Sequence, residues 1–367
     1  MGGVETHCEQ LYPRLKGMML EPREIIVYAR APYVPDGVRE YRGIAVEPLW
    51  AIRNAYLETI THTLFGLFHA RFRRRADVVH IHAIGPGLTI PIAKLLGLKV
   101  VFTHHGEDYQ RDKWNGLAKS ALRFGERLAM TFSDRIIVVS RSLLDKHPQF
   151  GGRIAHIPNG AAIEAPAAGS EDVLTRYGLE PRRYVLAVAR LVPEKGIHEL
   201  VDAFERAPDD GAKLVVVGDA QDGGGYAEAL RARAGSRVIF TGRLHRADIA
   251  PLYQHCRLFV LPSHHEGLPI AALEALSLGA RVLLSGIAAN REIDLQPGNY
   301  FPVGDVAALA ERLAAVDAVP MADAEAIGRR YDWNTIAVQT AEVFAQLEGG
   351  SRVARHTYVA DPSKSGG

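Results

Sequence analysis

His264-His265-Glu266-Gly267-Leu268-Pro269-Ile270-Ala271-Ala272-Leu273-Glu274 follows the apolar run Leu258-Phe259-Val260-Leu261 and the step Pro262-Ser263. The run has the make-up of a buried strand, and Pro269 suits the first turn of a helix, where a missing N–H costs nothing. Strand, loop and helix start thus stand in direct succession. The N–H groups of such a helix start, from Gly267 to Ile270, favour an anionic ligand. Glu266 falls in the loop, and Glu274 falls inside the helix, about one and a half turns from its start. A site of this kind holds phosphate with backbone N–H groups and sugar hydroxyls with carboxylates.

The same alternation extends outward in both directions. Tyr184 to Ala189, Lys213 to Val217, Val238 to Thr241 and Val282 to Leu284 read as further strands, with helices from His198 to Ala207, Tyr226 to Ala234, Ala247 to His255 and Val306 to Ala315. In the first half, strands are expected from Ile25 to Ala29, Val46 to Leu49, Val78 to Ala83, Lys99 to Thr103, Arg135 to Ser140 and Ile154 to Ile157. Helices are expected from Cys8 to Leu20, Ala55 to Phe72, Thr89 to Leu96 and Lys113 to Thr131, and a last one from Trp333 to Leu347. Alternating strands and helices imply an α/β protein with parallel sheets covered on both faces. Pro158-Asn159-Gly160 closes the first half as a turn, and Ala161 to Ser170 reads as a linker.

The 367 residues are enough for two domains with separate cores, and 47% hydrophobic content is that of a folded protein. Forty-three basic residues against 42 acidic ones leave a net charge of +1, which gives no pull toward nucleic acid. Cys8 and Cys256 have neither metal-ligand nor redox spacing. Without a signal peptide or an apolar run of roughly 20 residues, the expected compartment is the cytoplasm.

Ligands of open α/β sheets bind beyond the C-terminal ends of strands. Arg190 and Lys195 follow the strand from Tyr184, where two cations suit a diphosphate; a solvated charged loop is the plainer reading. His105, in His104-His105-Gly106-Glu107-Asp108, follows the strand from Lys99 and could bond a sugar hydroxyl or stabilise transition-state charge. His80 and His82 share one strand face but have no third ligand at a convincing spacing, so no metal site is assigned. There is no Asp-x-Asp to hold a metal–diphosphate, no Gly-x-Gly-x-x-Gly and no Gly-x-Ser-x-Gly, so a Rossmann oxidoreductase and the common hydrolase elbow lack support.

Taken together, Ala189-Arg190-Leu191-Val192-Pro193-Glu194-Lys195-Gly196, Val217-Gly218-Asp219, Gly242-Arg243-Leu244, Pro262-Ser263 and the Glu266–Glu274 pair resemble the retaining glycosyltransferases of family 4. His105-Gly106, Val139-Ser140, Ile157-Pro158-Asn159-Gly160 and Gly2-Gly3-Val4-Glu5 extend the resemblance over almost the whole chain. It implies the GT-B architecture of two facing Rossmann-like domains: an acceptor-side domain at 1–165, a nucleotide-sugar domain at 166–330 and a crossing helix at 331–348 that packs back toward the first domain. The polar remainder, 349–367, is expected to be a disordered tail.

By the same resemblance Arg190 and Lys195 neutralise the donor diphosphate, Glu274 accepts ribose hydroxyls, and Glu266 grips the donor sugar. His105 contacts that sugar near the reacting carbon. The backbone of Gly267, Leu268, Pro269 and Ile270 meets sugar and phosphate, and that around Arg243 and Leu244 meets the base. Gly218 joins the donor-binding set, and Gly3 ends a glycine-rich loop beside the phosphate. Family members open with a strand before that loop, whereas this chain starts within it, so the expectation is either a truncated start or a first sheet that lacks a central strand. The implied reaction is retaining and metal-independent transfer of a hexosyl or deoxyhexosyl group, with a nucleotide-diphosphate-sugar as co-substrate and no cofactor.

Tyr56-Leu57-Glu58-Thr59, His80-Ile81-His82-Ala83-Ile84-Gly85-Pro86-Gly87 and Lys113-Trp114 are similar to enzymes of bacterial surface-polysaccharide and lipopolysaccharide synthesis, including rhamnosyltransferase-like members. The implied acceptor is a saccharide or a polyprenyl-linked saccharide. The basic residues Arg71 to Arg75 and the helix bearing Lys119 and Arg123 either rest on an anionic membrane surface, at the inner face of the cytoplasmic membrane, or are solvated helix faces. A GT-B sugar-nucleotide epimerase and an inactive sugar-nucleotide-binding paralogue are the alternative functions.

Overall fold

The computed structural model describes residues 3–18, 24–52, 54, 57–110, 114–161, 172–220 and 225–347. Gly2, Tyr56, Lys113, the expected linker beyond Ala161 with the 165/166 junction, and the tail 349–367 lie outside them.

The chain opens with α1 (Gly3–Met18), whose Leu11 and Leu15 are buried one turn apart on a single face. Strands β1 (Ile26–Arg30), β2 (Glu40–Tyr41) and β3 (Ile44–Leu49) form a small sheet in the order β1-β3-β2; the two-residue β2 is an antiparallel edge too short to show a pattern in the sequence. Next comes α2 (Glu58–Phe68), which runs on through a π turn at His69–Arg73. A four-stranded parallel sheet follows, with β4 (Val78–His82), β5 (Lys99–His104), β6 (Arg135–Val138) and β7 (Ile154–His156) paired in sequence order. Its crossovers are α3 (Ile90–Leu95), α4 (Gly116–Phe132) and α5 (Arg141–Lys146). Asn115 caps α4 by accepting from Ala118 N–H at 2.9 Å. The strands of the first half are thus split between two sheets.

In the second half, after the single turn α6 (Val173–Arg176), the strands are β8 (Tyr184–Val188), β9 (Lys213–Val217), β10 (Val238–Gly242), β11 (Leu258–Leu261), β12 (Val282–Ser285) and the two-residue β13 (Tyr300–Phe301). They form one parallel sheet in the order β10-β9-β8-β11-β12-β13. The order reverses between β8 and β11, which makes the crevice beyond those two strands the topological switch point. Valine and leucine dominate these strands because helices cover both faces. Those helices are α7 (Ile197–Arg206), α8 (Gly225–Arg233), α9 (Arg246–His255), α10 (Ile270–Ser277), α11 (Ala288–Arg291) and α12 (Val306–Ala314).

The helix α13 (Ala324–Arg330) leads to α14 (Trp333–Ala345), which Asp332 caps through Thr335 N–H at 2.8 Å. Trp333, Ile336 and Val343 share a core with Leu11 and Leu15 of α1 and with Val101 and Ile137 of the first half. The last helix therefore packs back on the first half, as the sequence implied. A Cβ on Gly160 would lie 2.5 Å from the Trp333 ring, so this crossing needs glycine at 160.

Candidate active site

Arg190 and Lys195 leave the end of β8, and Glu266 leaves the end of β11, so the residues singled out in the sequence flank the switch crevice. Lys195 is carried on a short 3-10 turn, Pro193–Lys195, that ends at Gly196 with φ +64°. A Cβ there would stand 2.3 Å from the Pro262 carbonyl oxygen, which presses the Lys195 loop against the β11 loop. Lys195 Nζ donates to Glu266 Oε1 at 2.5 Å, and Ser263 Oγ donates to the same oxygen at 2.7 Å. Burial pushes the Glu266 carboxyl up, but the Lys195 charge and the two hydrogen bonds outweigh it and hold the group below its usual range.

Glu274 stands on α10 and is buried. Arg246, at the start of α9, donates from Nη2 to its Oε1, and Tyr253 Oη lies 3.4 Å from its Oε2. Burial is the stronger influence and pushes this carboxyl up to about 7, against the pull of Arg246 and Tyr253. Pro269 is not in the first turn of the helix, as expected, but one residue before it, in extended backbone at ψ 101°; Ile270 is the first helical residue. Leu268 and Ile270 are buried, so these two positions offer a ligand their backbone. Gly218 lies at the end of β9 with φ +136°, and a Cβ would meet the Ala189 carbonyl oxygen at 1.9 Å. Gly218 N–H donates to Gly242 O at 2.9 Å, tying the β9 and β10 ends together beside the exposed Arg243 and half-buried Leu244.

The first half contributes His105. Its neighbour His104 donates from Nε2 to Glu126 Oε1 at 2.7 Å and accepts Gly106 N–H at 3.2 Å on Nδ1, which fixes the turn that follows β5. Gly106 takes φ +144°, and a Cβ on Gly267 would fall 1.8 Å from the His105 carbonyl oxygen. The two halves thus touch backbone to backbone at His105-Gly106 and Gly267. Asn159 makes a second bridge, donating from Nδ2 to Leu268 O at 2.8 Å and accepting from His7 Nδ1 at 2.9 Å on Oδ1.

One further expectation is corrected here. Gly3 is not part of a loop: it is the first residue of α1, because the residues after it form one continuous amphipathic helix. Burial, then the neighbouring histidines His7, His80 and His104, hold the His105 imidazole well below the ordinary histidine range, which favours its neutral form. His7, Asn159 and Arg246 were missed in the sequence. Only His7 carried a signal, lying four and eight residues before Leu11 and Leu15 on the buried face of α1.

Comparison with known proteins places this site in context. Residues 1–165 match the sequence profile described as Glycosyltransferase Family 4, and residues 175–323 match that of Glycosyl transferases group 1. A phosphatidyl-myo-inositol mannosyltransferase of Mycobacterium tuberculosis is 30% identical over 384 residues, covering 96% of this chain and 95% of that protein. An uncharacterised glycosyltransferase of Bacillus subtilis, YqgM, is 31% identical over 225 residues, 58% of this chain and 59% of the relative. Among solved structures, Anabaena HepE in complex with UDP-glucose superposes with a TM-score of 0.75 at 21% identity, covering 94% of this chain and 96% of that one.

Proposed function

Because the chain belongs to glycosyltransferase family 4 and has the GT-B fold, we propose that it moves a sugar, with retention, from a nucleotide-diphosphate-sugar to a saccharide or polyprenyl-linked saccharide. The observation that carries this reading is the Lys195–Glu266 pair across the switch crevice, with Glu274 behind it. The Lys195 ammonium has three N–H groups, of which Glu266 takes one, leaving two to point at diphosphate oxygens. Arg190 adds a second cation, and the open N–H groups before α10 add neutral donors. Charge on the departing diphosphate is then stabilised by protein groups without a metal. Both hydrogen bonds to Glu266 fall on Oε1, so Oε2 is the acceptor for a sugar hydroxyl.

In the proposed reaction the bond from the anomeric carbon to the diphosphate oxygen breaks while the acceptor oxygen bonds that carbon on the same face. The acceptor's proton passes to the departing phosphate oxygen. No protein base is needed, in keeping with a neutral His105 that hydrogen-bonds the sugar. Proton NMR of the first-formed glycoside tests this: the anomeric configuration of the donor is expected, and the opposite configuration would reject the retaining reading.

Glu274 gives this proposal a pH dependence. The carboxylate accepts from both ribose hydroxyls, whereas the protonated group must use one oxygen as a donor, so donor affinity is expected to rise with pH through about 7. If only the charged form binds, the donor Kd falls about tenfold between about pH 6 and pH 8, and Glu274→Gln flattens the profile. The folded pKa lies above the usual carboxylate range, so this group's contribution to stability is lost as pH rises from that range toward about 7. Calorimetric titration of donor at several pH values measures the first effect; a flat wild-type profile would contradict it.

A cytoplasmic enzyme seated peripherally on the membrane fits such an acceptor. Phe65, Phe68 and Phe72 are exposed along α2 and its π turn, next to Arg71 and Arg73. Apolar rings beside basic side chains are what an anionic bilayer surface attracts. Among the described residues no helix is long and apolar enough to cross a membrane. Sedimentation with anionic liposomes, lost on neutral liposomes and in Phe68→Ser/Phe72→Ser, is the expected result; equal sedimentation with both lipids would remove the membrane from the account.

A further inference from the structure

His7 of α1, His82 of β4 and His105 after β5 converge from three elements, and one ring nitrogen of each lies within 4.8 Å of the other two. We propose that these three imidazoles form a site for one divalent transition cation of the zinc type, and that filling it fixes the His105 ring through Nε2 and so changes the hydrogen bond it offers the donor sugar. The site itself stands on geometry alone; the consequence for transfer rests on the glycosyltransferase reading above.

Hydrogen bonds around the cluster settle which nitrogens carry lone pairs. Asn159 donates its amide N–H to Leu268 O, so its Oδ1 faces His7, and His7 Nδ1 must be the protonated nitrogen. The His7 lone pair is therefore on Nε2. His82 Nδ1 and His105 Nε2 lie 2.9 Å apart and share one proton between two lone-pair positions. For both to ligate, that proton moves to the far nitrogen of its ring. His82 has an acceptor waiting there, since its Nε2 lies 2.6 Å from Tyr12 Oη. Tyr12 can in turn donate to His80 Nδ1 at 3.1 Å, and His80 donates from Nε2 to Thr103 Oγ1 at 2.7 Å. Two of the three ligands thus have an outer partner for the nitrogen that does not bind metal, which is the support that metal-binding histidines require.

Zinc–imidazole bonds of about 2.0–2.1 Å place tetrahedral nitrogens about 3.3 Å apart. Each of the three rings has a nitrogen within 4.8 Å of the other two, and the His82–His105 pair stands at 2.9 Å, so small side-chain shifts reach that spacing. The rings are uncharged at neutral pH, since burial lowers His7 to about 4 and His82 and His105 well below the usual value. An all-imidazole set favours zinc, cobalt, nickel or copper over magnesium or calcium, which seek oxygen. The second cluster, His104–Glu126–His147, differs because both nitrogens of His104 are committed to holding the Gly106 turn. It serves as the control.

Zinc is titrated into the tag-free full chain in competition with a chromophoric chelator. One tight site per chain is expected in the wild type and in His147→Gln, with at least tenfold weaker binding in folded His7→Gln and His82→Gln. No tight site in the wild type, or unchanged affinity in both variants, would overturn the assignment. Should the variants unfold, X-ray absorption of the wild-type zinc complex decides: three nitrogen neighbours support the site, and a sulfur or all-oxygen shell rejects it. In a transfer assay zinc is expected to inhibit the wild type at least tenfold more strongly than His7→Gln. Equal inhibition would reject the link to His105. Absence of transfer by the metal-free wild type would count against the glycosyltransferase reading, while the titration still decides the metal site.

Discussion

Lys195→Ala lowers sugar-transfer turnover at least tenfold, about 1.4 kcal/mol or more in the barrier, at saturating donor. The loss follows from the proposed role of Lys195 as the fixed cation facing the departing diphosphate, an interaction that grows as the bond to the anomeric carbon breaks. The same change strands Glu266, whose Oε1 keeps only Ser263 as a partner of the two described. Breaking an ion pair with both partners largely buried costs about 3 kcal/mol of stability. The two effects separate in Lys195→Ala/Glu266→Ala, which recovers stability by removing the unpaired carboxylate but does not recover turnover. Steady-state kinetics and denaturant unfolding of the single and double variants check both parts. Wild-type turnover in a folded Lys195→Ala would remove Lys195 from the diphosphate site.

Gly267→Ala lowers kcat/KM about a hundredfold while leaving the separate sheets intact. The added methyl would sit 1.8 Å from the His105 carbonyl oxygen, a backbone atom that cannot swing aside as a long side chain would. Relief requires the His105-Gly106 turn and the Glu266 loop to part by more than an ångström, because contact between carbon and oxygen needs well over 3 Å. In the proposed reaction Glu266 and His105 grip the same sugar from opposite halves, so their separation misplaces the reacting carbon. The check is kinetic, with circular dichroism to confirm folding. An alanine variant with unchanged kcat/KM would mean that the halves need not meet at this point during catalysis.

The architecture was legible because strands such as Leu258–Leu261 and Lys213–Val217 are unbroken apolar runs set between helices with one apolar face. The positions of Glu266, Glu274, Arg190 and Lys195 around the switch crevice were legible for the same reason: each follows or flanks a strand whose end the pattern locates. What pairs with them was not. Arg246 meets Glu274 28 residues away and His7 meets Asn159 152 residues away, contacts that only the closed chain creates. The partners of His82 were hidden in sequence because His7 and His105 arrive from other elements. Short pieces such as Tyr300–Phe301 carry too few residues for any period to be seen.

The crevice between β8 and β11 as a nucleotide-diphosphate-sugar site is tested most directly by thermal unfolding of the wild type and Glu274→Ala across a panel of nucleotide sugars. One member of the panel should raise the unfolding free energy of the wild type by about 2.7 kcal/mol at about 100 times its Kd. At the same concentration, Glu274→Ala should gain far less from that donor. No stabilisation by any nucleotide sugar, or stabilisation that Glu274→Ala retains in full, would contradict the account.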